Sequence, residues 1–103
     1  MKALVPPPQF RSPTAMPFDS ADYIAAECDA LKQLLLEKNA KYGDSALSPS
    51  RIFSKASAVE QLLVRIDDKL SRIRTSGPSG PDEDTVQDLM GYLVLYRIAL
   101  RRT

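Results

Sequence analysis

The sequence predicts an all-α protein, a three-helix antiparallel unit that assembles into a dimeric or higher-order helical bundle. Three observations lead there. Apolar residues recur at helical spacing in three segments separated by turn signals, and no segment alternates with the period of a strand. The third segment is apolar nearly all round from Leu89 to Leu95, which asks for burial on two sides.

The elements follow in chain order. Residues 1–18 hold five of the eight prolines, and proline lacks the N–H that a helix or sheet needs. They read as an extended arm, leaving 19–103 as the folded domain. Asp19 or Ser20 can cap a first helix starting near Ala21, with Asp22 adding negative charge to its first turn. Ile24, Cys28, Leu31 and Leu35 then form an apolar stripe expected to be buried, and Gly43 can take the left-handed conformation that ends the helix. DSALSPS is a loop, and Ser48 before Pro49 suggests the start of a second helix. Its expected core stripe is Ile52, Ala56, Val59, Leu63, Ile66, Leu70 and Ile73. SGPSGP breaks the chain at 76–81. Asp82 or Gly80 then caps a third helix reaching about Leu100. One face of it carries Val86, Leu89, Leu93, Tyr96 and Leu100. A second carries Asp84, Asp88, Gly91, Tyr92, Leu95 and Ala99, and self-association through that helix, with close approach at Gly91, would cover it.

Composition narrows the chemistry. The chain has 103 residues, one domain's worth, and a net charge of +1 from 14 basic and 13 acidic residues. No basic surplus or groove-reading motif is present to grip DNA by counterion release, which argues against direct DNA binding. There is no histidine and one cysteine, Cys28. A Cys/His zinc site, a histidine general base and an internal disulfide are all excluded. No run approaches transmembrane length, and MKALVPPPQF is too short in apolar residues for a signal peptide, so a cytoplasmic protein without a membrane partner is expected.

Three polar stretches remain. Arg65, Asp68, Lys69 and Arg72 lie on one stripe of the second helix, where they are either a solvated face laced with weak pairs or a binding edge. Asp84 and Asp88 stand one turn apart on the third helix. They can bind Mg²⁺ or pair with those cations, because charges near a core are rarely left unpaired. EKNAKYGD crowds Lys38, Asn39, Lys41 and Tyr42 at the end of the first helix. This is either a favourable polar terminus or a set that meets a base with Tyr42 and Asn39 and a phosphate with lysine.

KNAKYGDS (38–45), RIDDKLSRI (65–73) and EDTVQDLMGYLVL (83–95) together, in this order, resemble the nucleotide-modification-associated domain of type 1, found in bacteriophages and some bacteria. That family shows lysine-asparagine then tyrosine-glycine after its first helix, R-x-x-D-K-x-x-R on the second, and E-D-(T)-x-x-D-x-x-x-Y on the third. The resemblance covers roughly residues 22–100, and its helical plan is similar to the MazG-like and dUTPase-like all-α pyrophosphohydrolases. It implies that Arg65, Lys69, Arg72 and Lys38 meet the phosphates of a nucleotide or related ligand. Asn39, Tyr42 and Tyr92 would contact base or sugar, and Asp84, Asp88, Asp68 and Glu83 would hold Mg²⁺. If phage-encoded, the protein would act in the host cytoplasm. The sequence departs from the enzymes in lacking their E-E-x-x-E metal motif, so it points to nucleotide binding tied to nucleotide or DNA-base modification, with Mg-dependent triphosphate hydrolysis as its enzymatic form. The alternative is a non-catalytic interaction protein, such as a nucleotide-signal sequestrant or host-defence inhibitor, whose charges form a structural network.

Overall fold

The computed structural model describes residues 19–102. These form three helices, α1 (Ser20–Tyr42), α2 (Ala58–Arg74) and α3 (Glu83–Arg102), with no strand among the described residues. The expected arm, 1–18, lies outside them. The boundary between two compact units falls within α1, after Lys38.

α1 begins where the Asp19 carboxylate accepts the backbone N–H of Asp22 at 3.0 Å, satisfying an otherwise orphaned helical donor. It ends at Gly43, which has a φ of +70°. The expected buried stripe is not continuous. Leu31 and Leu35 are half-buried, but Ile24 and Cys28 are exposed. The physical reason lies in the sequence: Tyr23, Ile24 and the consecutive Leu34, Leu35 and Leu36 point in different directions, so no single face collects them.

The second helix starts later than the Ser48–Pro49 signature suggests. Asp44 instead closes a turn, its carbonyl accepting the N–H groups of Leu47 at 3.1 Å and Ser48 at 2.8 Å. Ser54 Oγ then takes the N–H of Ala56 at 3.2 Å, a local bond that competes with helix formation. Arg51 has a left-handed φ of 58°. The actual cap is Ser57, whose Oγ accepts from the N–H of Glu60 at 3.1 Å. Ser57-x-x-Glu60 is the Ser-x-x-Glu spacing of a capping box, and it prevails over the upstream proline. Ile52 therefore leaves the core and is 74% exposed.

α2 and α3 pack together. Lys69 meets Asp88 and Arg65 meets Tyr92, so a step of four back along α2 matches a step of four forward along α3. The pair is antiparallel. Leu62, 1% exposed, and Ile66 are the buried apolar residues of α2, and Ala99 is that of α3. Leu62 lies outside the expected stripe. At 100° per residue it shares a face with Ile66, Lys69 and Ile73, the face that α3 covers. Likewise Leu95 and Ala99 align with Asp88 and Tyr92 on the side of α3 turned to α2. The face expected to carry self-association thus points inward, and Gly91 is buried too. Val86, Leu93 and Leu100 on the other face are exposed.

The connection between the helices is built from local bonds. Thr75 and Ser76 close the end of α2, their hydroxyls donating to the carbonyls of Ser71 at 3.0 Å and Ile73 at 2.8 Å. Asp82 caps α3, its Oδ1 accepting the N–H of Thr85 at 2.7 Å. At the far end, Arg102 Nη1 reaches Asp44 Oδ2 at 3.4 Å and ties the last turn of α3 to the turn after α1.

Candidate functional site

The helical spacing that packs Leu62 and Ile66 against α3 also carries Arg65, Lys69 and Arg72 to the edge of that interface. Lys69 is the centre. Its side chain is only 12% exposed, and its Nζ lies 3.3 Å from Asp88 Oδ2 and 3.9 Å from Asp68 Oδ2. The four-carbon stem covers apolar surface while the ammonium bridges two carboxylates. Asp68 also forms an ion pair with Arg72, its Oδ2 3.3 Å from Nε, one turn along the same helix. Arg65 places its guanidinium 5.9 Å from the Tyr92 ring centre, within range of a cation–π contact. Six expected site residues, Arg65, Asp68, Lys69, Arg72, Asp88 and Tyr92, therefore share one edge of the α2–α3 pair.

This bonded set holds three cations against two carboxylates. Asp88, 33% exposed, is held by Lys69, while Arg72 remains 59% exposed although its Nε is engaged. Arg72 borders an open cleft of about 430 Å³ at the turn between the helices, lined also by Thr75, Ser76, Gly80, Pro81, Asp82 and Thr85. The hydroxyl protons of Thr75 and Ser76 are committed to the end of α2, so a ligand there finds acceptor lone pairs on them and a charged donor in Arg72.

The remaining expected residues lie elsewhere. Asn39 and Tyr42 are exposed at the end of α1, and the Tyr42 ring lies 5.3 Å from the ammonium of its neighbour Lys41. No bond or ring contact links either to the α2–α3 edge among the described residues. Lys38 is exposed in the first unit. Glu83 and Asp84 occupy the exposed first turn of α3.

No group of three or more among the described residues gathers to hold an ion, and Asp68 and Asp88 already share the Lys69 ammonium. The Asp44–Arg102 bridge went unforeseen, since its partners are 58 residues apart in the chain. The cleft was equally hidden, because a turn rich in glycine and proline shows only that the chain reverses. The Ser57 cap, by contrast, was legible as Ser-x-x-Glu.

No helix among the described residues is long and apolar enough to cross a membrane. No protein family, curated protein or solved structure matches this chain.

Proposed function

We propose that the α2–α3 edge binds a nucleotide or a related phosphate-bearing ligand. The observation that carries this reading is the placement of Arg72, largely exposed and bordering the cleft, beside a network with one more cation than carboxylate. Its guanidinium keeps donors for a phosphate after Nε has bound Asp68. Arg65 stands one face-width away on Tyr92, where ring and guanidinium together offer a flat surface to a base. Lys69 sets the field of the site and fixes Asp88. The ordered motifs 38–45, 65–73 and 83–95, which resemble the nucleotide-modification-associated family, favour the same ligand class and a homo-oligomeric, MazG-like arrangement.

Mg²⁺ enters this reading only with the ligand. Magnesium commonly uses one or two carboxylates together with substrate phosphates, and Asp84 and Asp88 are the nearest matches to the resembled pattern. Pyrophosphate release from a triphosphate is the reaction to test for, and binding does not depend on it.

A second reading rests on Lys69. Its side chain is nearly buried, and no buried side-chain nitrogen or oxygen among the described residues lacks a partner. A fully satisfied network of this kind can serve helix register alone, in a protein whose work is partner binding. A thermal-shift screen of nucleotides with and without Mg²⁺ separates the two, because a ligand that binds only the folded state raises its melting temperature. The phosphate reading expects a shift that Arg72→Ala reduces while leaving the unliganded melting temperature nearly unchanged. No shift with any nucleotide or inorganic pyrophosphate would leave the structural reading in place.

A further inference from the structure

We propose that the outer face of α3 is a dimer seam, on which a second copy of this chain lays its own α3 antiparallel, each Glu83 meeting the partner's Arg97. This gives the expected homo-oligomer a surface and a register. It stands whether or not the α2–α3 edge binds phosphate.

α2 covers the side of α3 that holds Asp88, Tyr92 and Ala99. About a quarter-turn round the helix runs a second row, Val86, Leu89, Leu93, Tyr96 and Leu100. Val86, Leu93 and Leu100 repeat at seven residues, and Leu89 and Tyr96 fall three after the first two of them. This is the a/d spacing by which two helices wind into a coiled coil. Val86 is 39% exposed, Leu93 47% and Leu100 50%, and Leu89 and Tyr96 between them are half-buried. Single exposed apolar residues are ordinary, but a continuous row over about four turns marks an interaction surface.

Charge selects the occupant and its direction. α3 is polarised, with Glu83 and Asp84 in its first turn, Arg101 and Arg102 in its last, and Arg97 one turn before them. A parallel copy would set acid beside acid and arginine beside arginine. An antiparallel copy sets each acidic end beside a basic one and opposes the helix dipoles. The apolar row then fixes the register. In an antiparallel pair the a residues of one helix layer with the d residues of the other, so Leu89 meets the partner's Leu93 and Val86 the partner's Tyr96. The flanking e positions are Glu83, Met90 and Arg97. In this register Met90 meets the partner's Met90, and Glu83 meets the partner's Arg97 on both sides of the two-fold axis. Glu83 and Arg97 are exposed and without an ion pair among the described residues. The layers alone set the alignment, and the charges match within it. A face that answers its own charges in this way fits a second copy of itself.

Sedimentation equilibrium of the full chain over a micromolar concentration series tests this, with circular dichroism as the folding check. The parent should be a dimer. Leu93→Arg puts a cation into the central layers and should weaken association by at least ~10-fold. Glu83→Arg and Arg97→Glu each turn two attractive contacts of the dimer into two repulsive ones, and each should weaken it by about fivefold. Combining the two exchanges the signs and should return association to near the parental value. All three positions are exposed, so helicity should not change. A monomeric parent overturns the proposal and leaves the row to a different partner. So does association that Leu93→Arg leaves intact, or a double variant no stronger than the single ones. None of these variants alters Arg72, so nucleotide thermal shifts decide the phosphate reading separately.

Discussion

Replacing Asp88 with alanine leaves Lys69 with one distant partner, and the geometry sets the cost. At 3.3 Å, an effective dielectric of about 20 gives a gross attraction of about 5 kcal/mol. Much of that is offset by desolvation of an ammonium whose side chain is 12% exposed. The pair lies between the limits of about 3–5 kcal/mol for breaking a buried bridge and about 1 kcal/mol or less for an exposed one. Asp88 keeps a third of its exposure, and Asp68 at 3.9 Å retains part of the compensation. The expected loss is therefore about 2 kcal/mol, which for a domain of this size lowers the melting temperature by about 8–16 °C. Urea denaturation followed by circular dichroism measures it. Lys69→Met in the Asp88→Ala background should recover part of the loss by removing the stranded charge. A loss below about 0.5 kcal/mol, or no recovery in the double variant, would mean that water screens the pair and that Lys69 does not organise the edge.

Leu62→Ala should be the costliest single truncation among the described residues, about 2–5 kcal/mol by chemical denaturation, since Leu62 is 1% exposed at the helix interface. Ser57→Ala should lose about 1 kcal/mol with its cap, whereas Ser48→Ala should change stability by less than about 0.5 kcal/mol, because Ser48 caps no helix. Arg72→Ala should cost under about 1 kcal/mol of stability while weakening phosphate-ligand affinity about tenfold or more, read by calorimetry with inorganic pyrophosphate or a nucleoside triphosphate.

Local sequence determined the number and type of the elements. Asp19 and Asp82 cap the helices expected of them, and Gly43 ends α1, because caps and stops depend only on residues within a turn. The charged stripe of α2 was equally legible, since Arg65, Asp68, Lys69 and Arg72 share an edge by helical spacing alone. Tertiary structure decided what that edge faces. Two faces of α3 are apolar enough to bury, and sequence offers no means to rank them. The partner helix chose the one holding Asp88, Tyr92, Leu95 and Ala99, because there its own Leu62, Ile66 and Lys69 find both apolar surface and a counter-ion. The start of α2 was decided by competition. Ser48–Pro49 and Ser57-x-x-Glu60 both read as helix starts, and the helix begins at Ser57, whose hydroxyl accepts the Glu60 N–H while Ser54 holds the Ala56 N–H just upstream. The rest of the candidate site depends on distances between segments far apart in sequence. Periodicity cannot give these, because it places residues around an axis and says nothing of which axes meet.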